Sequence, residues 1–308
     1  MTDRYAVFGN PVAHSQSPRI HALFAQQTGQ DLRYEAILAP LDGFEQSVRE
    51  LIANGGCGAN VTVPFKEEAF RLATQLTMRA KAAGAVNTLI FVEGPAAEPP
   101  QGGAAMEWGE PGSRTAVPPS LGEGVGGKAS YAIVGDNTDG AGLINDIQTN
   151  IGFPIAGKRV LLLGAGGAAR GAVLPLLHES PGALVIANRT LEKALRLVDT
   201  FSSDAQGILS GSAFPALAGQ SFDLVINATS AGLANAELPL PGSIFAPGCL
   251  AYEMVYGRET AFMRQAANAG VGVADGLGML VEQAAEAFFV WRGMRPDTAS
   301  VLNQLRNA

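Results

Sequence analysis

Gly164-Ala165-Gly166-Gly167-Ala168-Ala169 directly follows the apolar run Val160-Leu161-Leu162-Leu163 and directly precedes a helical pattern. In that context Gly164, Gly166 and Ala169 form a Gly-x-Gly-x-x-Ala element. Glycine permits the tight turn and lets the backbone approach a pyrophosphate, while the free N–H groups and dipole of the following helix attract the anion. The alternative is a glycine-rich turn kept only for packing. A loop that binds NAD is followed about 20 residues on by an acidic residue that accepts bonds from the ribose 2′-hydroxyl. Here that position carries Asn188-Arg189-Thr190. A carboxylate there would repel a 2′-phosphate, whereas Arg189 can pair with one through its planar fork, helped by Thr190 and by Lys193 one turn later. These residues point to NADP; the competing reading is that Arg189 and Lys193 are the solvated start of a helix.

A second polar set lies in the first half of the chain. Alternation across Gly58-Ala59-Asn60-Val61-Thr62-Val63 puts Asn60 and Thr62 on one strand face, Pro64 ends the strand, and Lys66 follows it. Asp139 stands in the polar turn Asp136-Asn137-Thr138-Asp139-Gly140. Together these residues look like a site, although met singly Lys66 reads as a surface helix residue and Asp139 as a helix N-cap. No carboxylate spacing supports a catalytic role for His14, and His21 and His178 fall on predicted helices.

The elements that must position these groups alternate between strand and helix. Tyr5–Gly9 reads as a strand ending in a Gly-Asn-Pro turn; Ser17 is the expected N-cap of a helix with Pro18 at its first position, Ile20, Leu23 and Phe24 at helical spacing, and Gly29 at its end. A strand over Tyr34–Leu38 and a helix over Phe44–Ala53 lead to the Asn60 strand, and a further strand is expected at Val86–Val92. This order predicts an α/β unit with largely parallel pairing. Strand Tyr131–Val134, a helix near Gly140–Ile151, strand Lys158–Leu163, strand Leu184–Ala187, and strands at Phe222–Asn227 and Leu250–Glu253 follow. Leu277–Trp291 carries apolar residues at helical spacing. Between two of the expected strands, Glu93–Ser130 has 15 Gly or Pro among 38 residues and reads as a flexible insertion.

Composition narrows the class. The chain of 308 residues implies two compact units or one with a large insertion. With 47% hydrophobic residues and no apolar run near the roughly 20 residues a membrane helix needs, a soluble globular protein is expected, with no membrane partner. The start, Met1-Thr2-Asp3-Arg4-Tyr5, has no export pattern, so a cytoplasmic location is expected. Cys57 and Cys249 read as ordinary buried thiols; neither a disulfide framework nor a metal site is expected. A net charge of -7 argues against nucleic acid.

Taken in order, Tyr5-Ala6-Val7-Phe8-Gly9-Asn10-Pro11 with Ser15 and Ser17, Asn60-Val61-Thr62-Val63-Pro64-Phe65-Lys66, Ala85-Val86-Asn87-Thr88, Gly135-Asp136-Asn137-Thr138-Asp139-Gly140, the glycine loop, Asn188-Arg189-Thr190, Asn227-Ala228-Thr229-Ser230 and Asp275-Gly276-Leu277-Gly278-Met279-Leu280 resemble the motifs of the shikimate dehydrogenase family. The resemblance covers nearly the whole chain outside the insertion. It implies an α/β fold of two domains separated by a cleft: a substrate domain over 1–138 and 276–308, and a Rossmann-like NADP-binding domain over 139–275. It implies reversible, NADPH-dependent reduction of 3-dehydroshikimate to shikimate, by a monomer or homodimer. Ser15 and Ser17 would hold the substrate carboxylate. Asn60, Thr62, Asn87, Asp139, Tyr256 and Gln283 would read ring hydroxyls. Gly164, Ala165, Gly166, Gly167, Ala168, Asn188, Arg189, Thr190 and Lys193 would bind the cofactor, with Met254 and Gly276 near its nicotinamide end. Lys66 and Asp139 would move the proton at the carbonyl, an ammonium beside a carboxylate being suited to the charge that develops there. Two departures from the family stand out: the insertion between Asn87 and Asp139, and Met78 where relatives often carry a polar side chain. The alternatives are a quinate/shikimate dehydrogenase using NAD or both cofactors, and a non-catalytic NADP-binding module.

Overall fold

Strand β1 (Asp3–Gly9) is buried along Tyr5–Gly9, which explains its almost unbroken apolar character. The computed structural model describes residues 2–94, 131–231 and 236–307. The expected insertion over 93–130 lies, apart from Glu93 and Gly94, outside them. The chain divides into one compact unit of 1–138 with 284–308 and a second of 139–283.

In the first unit, α1 (Ser17–Thr28), β2 (Leu32–Leu38), α2 (Phe44–Ala53), β3 (Gly56–Val61), α3 (Lys66–Leu72), the short β4 (Gln75–Leu76), α4 (Met78–Ala83), β5 (Thr88–Glu93) and β6 (Tyr131–Asp136) follow in order. They form a sheet of order β2-β1-β3-β5-β6-β4. The pairings of β1 with β2, β1 with β3 and β4 with β6 are parallel, as expected, and β5 is the exception. β5 runs antiparallel to both β3 and β6, because β5 and β6 are consecutive strands paired side by side as in a hairpin. Their register has a functional consequence. Glu93 opposes Tyr131 at one end and Thr88 opposes Asp136 at the other, so the inserted segment leaves and returns at the end remote from Asn87 and the Asp136–Thr138 turn.

One sheet face packs Ala6, Phe8, Ala59, Val61, Leu89 and Ile133 into a core with Phe44 and Phe65. On the other, Tyr5 lies against Trp291, ring centroids 4.7 Å apart. Gly58 makes room for that indole: a Cβ there would stand 2.6 Å from Trp291 Nε1, which donates to Leu89 O at 3.0 Å. The sheet face therefore accepts a tryptophan only because β3 lacks a side chain at this point.

Two local expectations also change. Ser17 is the first residue of α1 and not its cap; Gln16 is the cap residue, and the Oγ of Ser15 accepts the Ser17 N–H at 3.3 Å. Ser15 thus satisfies one of the donors that a helix start leaves open. Cys57, at the second position of β3, is only half-buried, while Cys249 is buried.

In the second unit, α5 (Asp139–Asn145) continues as a π-helical turn over Asp146–Asn150 and is followed by β7 (Arg159–Leu163), α6 (Gly167–His178), β8 (Ala183–Ala187), α7 (Leu191–Thr200), β9 (Leu209–Ser212), β10 (Phe222–Asn227), β11 (Phe245–Glu253), α8 (Ala261–Asn268) and β12 (Gly272–Ala274). Helices α9 (Leu277–Arg292) and α10 (Thr298–Arg306) end the chain. The sheet, in the order β12-β11-β10-β7-β8-β9, is parallel throughout. From β7 the chain first builds outward through β8 and β9, then returns to β7's other side and builds through β10, β11 and β12. That reversal is the doubly wound arrangement of dinucleotide-binding sheets, whose ligands sit at the carboxyl ends of the two central strands. Val160–Leu163 are all fully buried, as a central parallel strand requires. Among the described residues no helix is long and apolar enough to cross a membrane.

Candidate functional site

In the first unit the polar residues of β3, β5 and the turn after β6 close into one network. Asn60, at 6% exposure, donates through Nδ2 to Asn87 O and to Thr88 Oγ1, both at 3.1 Å. Thr88 Oγ1 donates to Asn87 Oδ1 at 2.9 Å, Asn87 Nδ2 donates to Thr138 Oγ1 at 3.0 Å, and Thr138 N–H donates to Asn87 Oδ1 at 2.9 Å. Asn60, Asn87, Thr88 and Thr138 are all buried, and in an interior of low dielectric such a connected set holds its donors and acceptors in preset directions. Thr62 is half-buried beyond β3; its Cγ2 would be 2.5 Å from a Cβ on Gly9, so the Gly9 turn is built around it. Lys66 is the half-buried first residue of α3, and its carbonyl accepts the Val86 N–H at 2.9 Å, which ties the start of that helix to the segment carrying Asn87. Ser15 is half-buried and Ser17 buried at the start of α1.

Behind this network lies an ion cluster that the residue spacing did not reveal. Arg79 grips Asp136 with both arms, Nε to Oδ1 at 2.7 Å and Nη2 to Oδ2 at 2.6 Å, and reaches Glu286 with Nη1 at 2.8 Å. Thr77 Oγ1 and the Asn137 N–H also donate to Asp136 Oδ1, at 2.6 and 2.7 Å. Burial works against the Asp136 charge, but the Arg79 guanidinium, the Thr77 hydroxyl and the Asn137 N–H together hold its carboxyl below the usual range. The turn from Asp136 to Thr138, which precedes Asp139, is held by these bonds.

In the second unit, Asp139 is the half-buried first residue of α5. The glycine loop stands at the carboxyl end of β7. Gly164 adopts φ +109°, open to glycine alone, and a Cβ there would come within 3.0 Å of Ala228 O in the turn after β10. Ala165 is half-buried, whereas Gly166, Gly167 and Ala168 are exposed, and a Cβ on Gly166 or Gly167 would meet no atom within 4 Å. Among the described residues, therefore, packing does not require these two glycines. Gly166 caps α6 and has no side chain, so the cap residue supplies no acceptor of its own to the N–H groups at the start of this 12-residue helix. At the end of β8, Asn188 Nδ2 donates to Thr190 O at 2.9 Å, and the side chains of Arg189, Thr190 and Lys193 are exposed at the start of α7.

Met254 and Gly276 meet directly: a Cβ on Gly276 would lie 2.1 Å from Met254 O. The turn carrying Met254 is fixed from below by Glu253, fully buried, which accepts from Asn227 Nδ2 at 2.7 Å, Thr260 Oγ1 at 2.8 Å and the Val255 N–H at 3.1 Å. Burial raises the Glu253 pKa, and the hydrogen bonds from Val255, Thr260 and Asn227 oppose the rise. Tyr256 is 36% exposed, and burial of the rest of its ring raises the phenol pKa. Gln283 is half-buried on α9, its Nε2 donating to Leu280 O at 2.9 Å.

Of the histidines, His14 and His178 are exposed, and His21 is fully buried with its pKa lowered to about 3 by burial. Among the described residues no group of three or more His, Cys, Asp or Glu is placed to hold a metal ion.

Known proteins match the chain in both sequence and fold. Residues 7–89 match the shikimate dehydrogenase substrate binding domain, 147–235 the shikimate / quinate 5-dehydrogenase family and 276–306 the shikimate 5′-dehydrogenase C-terminal domain. The NADP(+) shikimate dehydrogenase of Dechloromonas aromatica (strain RCB) is 56% identical over 99% of this chain and 98% of its own length. The crystal structure of an Ael1 enzyme from Pseudomonas putida matches with a TM-score of 0.84 at 46% identity, covering 98% of each chain. That of the shikimate 5-dehydrogenase of Thermus thermophilus, in complex with NADP(H) and shikimate, matches with a TM-score of 0.76 at 29% identity, covering 99% of each. The chain belongs to the shikimate dehydrogenase family.

Proposed function

We propose that this protein is an NADP-dependent shikimate dehydrogenase, catalysing the reversible reduction of 3-dehydroshikimate to shikimate on the route to chorismate and the aromatic amino acids. One observation carries the reading: in this family member, a glycine loop at the reversal of a parallel sheet is followed, at the end of the next strand, by Arg189 and not by a carboxylate. The chain's own residues fit the cofactor. Open space at Gly166 and Gly167 admits a pyrophosphate onto the backbone of Gly164–Ala168, and the uncapped start of α6 offers it N–H groups. Arg189 supplies the planar fork for a 2′-phosphate, with Asn188 shaping the turn and Thr190 and Lys193 beside it. Met254 and Gly276 border the nicotinamide end.

When bound, NADPH supplies the hydride that the ketone carbon accepts. As that carbon is reduced, its oxygen gains negative charge, and a proton must reach it. Lys66 and Asp139 handle that proton, delivering it in reduction and withdrawing it when shikimate is oxidised. Ser15 and Ser17, at the start of α1, hold the substrate carboxylate. Asn60, Thr62, Asn87, Asp139, Tyr256 and Gln283 read the hydroxyls. The buried network through Asn60, Asn87, Thr88 and Thr138 supports this assignment, because donors already oriented by one another need little ordering when a substrate arrives. The enzyme works in the cytoplasm as a monomer or homodimer.

The test is the absorbance of reduced nicotinamide with purified protein, shikimate or quinate, and NADP or NAD. Shikimate with NADP is expected to give the highest kcat/KM. A preference for quinate or NAD would replace the reading with a quinate/shikimate dehydrogenase, and no shikimate-dependent reduction would leave an NADP-binding module.

A further inference from the structure

Tyr34 belongs to none of the motifs, yet its hydroxyl reaches the middle of the polar network. It lies on β2, in register with Tyr5 of β1, and Tyr5 is in register with Gly58 of β3; Asn60 is two residues further along the same face of β3. Tyr34 thus leans across β1 and donates its hydroxyl to Asn60 Oδ1 at 2.7 Å. Its ring stacks on His21, centroids 4.1 Å apart and planes within 7°. Among the described residues neither His21 ring nitrogen has a partner in hydrogen-bond geometry; burial keeps the imidazole uncharged, the nearby Asn60 side chain opposing that shift, so the ring is a flat, neutral wall for the phenol. Ser17 is a second polar side chain acting on that phenol, opposing the rise that burial imposes on its pKa.

Donor and acceptor counting at Asn60 gives the consequence. An amide side chain has two N–H donors and one oxygen with two acceptor positions. Both donors are committed, to Asn87 O and Thr88 Oγ1, and Tyr34 takes one acceptor position. What remains is a single acceptor position on Oδ1. Turning the amide over would set its oxygen against the Asn87 carbonyl, which can only accept; that carbonyl forbids the flip, and the Tyr34 and Thr88 hydroxyls hold the allowed orientation. We propose that Tyr34 is a specificity-determining positioning residue, whose hydroxyl locks the Asn60 amide so that Asn60 meets the substrate only as an acceptor and selects a hydroxyl over a carbonyl. Asn60 accordingly reads one of the hydroxyls that stay intact through the reaction, and not the oxygen that alternates between ketone and alcohol. This rests on the reading above that Asn60 contacts the substrate.

Tyr34→Phe keeps the stacked ring and removes only the hydroxyl. The expected result is a KM for shikimate raised about 3- to 10-fold, as befits one hydrogen bond. kcat and the dissociation constant for NADP should change by less than about twofold. In an Asn60→Ala background the same substitution should lose most of its effect, leaving only the part that passes through Ser17. An unchanged KM, an equal effect in the Asn60→Ala background, or a parallel loss of NADP affinity and thermal stability would each overturn the proposal. An Asn60→Ala enzyme with the wild-type KM for shikimate would instead overturn the substrate-site reading beneath it.

Discussion

Replacing Arg79 by methionine tests the cluster that holds the Asp136 turn. The substitution keeps most of the aliphatic stem and removes three charge-assisted bonds, two to Asp136 and one to Glu286. Glu286 retains Arg295, at 2.5 Å, but the Asp136 side chain is only 3% exposed and keeps just the Thr77 hydroxyl and the Asn137 N–H. Removing one partner of a buried pair costs about 3–5 kcal/mol, and since Arg79 is itself one-third exposed, the expectation is the low end, about 3 kcal/mol at pH 7. For a protein of this size that corresponds to roughly 6–12 °C in Tm. The pH dependence gives a sharper sign. In the wild type the Asp136 pKa is depressed, so its contribution is full above the unfolded carboxylate value and is lost as pH falls through the folded one. In the variant burial dominates and raises the pKa, so protonation relieves the strain as pH falls. The difference in stability between the two proteins is therefore greatest near neutrality and shrinks toward pH 4. Urea unfolding of both proteins from pH 7 downward measures it. A deficit below about 1 kcal/mol at pH 7, or one that widens with acid, would refute the reasoning.

The other substitutions address packing, cofactor choice and thiol access. Gly58→Ala puts a Cβ 2.6 Å from Trp291 Nε1 and 2.7 Å from Leu89 O, so the indole must move and its bond to Leu89 O breaks; a loss of about 2–4 kcal/mol in thermal unfolding is expected. Arg189→Ala is expected to lower kcat/KM with NADP about 10- to 100-fold while leaving the value with NAD within about twofold, read by steady-state rates with each cofactor. Burial pushes the Cys249 thiol up to about 12, whereas Cys57 is half-buried with a smaller rise; a thiol reagent near pH 8 should label Cys57 slowly in the native protein and Cys249 only after unfolding, followed by mass spectrometry.

What could be read in advance follows from where each interaction is encoded. β7, the glycine loop and β8 were legible because a central parallel strand is a continuous apolar run and the turn after it needs a glycine at positive φ, two local properties. β5 reads as a strand from its apolar residues, but its antiparallel direction depends on neighbours 28 and more residues away in the pairing of Asn60 with Thr88. β9, Leu209-Ser-Gly-Ser, and the two-residue β4 carry too little apolar pattern to be seen at all. At the candidate site, the residue types on the Asn60 strand and in the Asp136–Asp139 turn announce polar chemistry. The bonds that orient them come from Tyr34 across an intervening strand and from Arg79 on α4, contacts with no local periodicity. The Ser15–Ser17 reversal has a finer cause: both are acceptable capping residues, and the backbone at Gln16 decides which one reaches the open N–H.

The most direct test of the central claim is the rate of shikimate-dependent NADP reduction by the wild type and by Lys66→Ala, with NADP binding measured in parallel by calorimetry. The account predicts robust turnover in the wild type, and in the variant a kcat lower by about 100-fold or more with NADP affinity unchanged. A Lys66→Ala enzyme that turns over within about twofold of the wild type would contradict it, as would a wild type that binds NADP but never reduces it with shikimate.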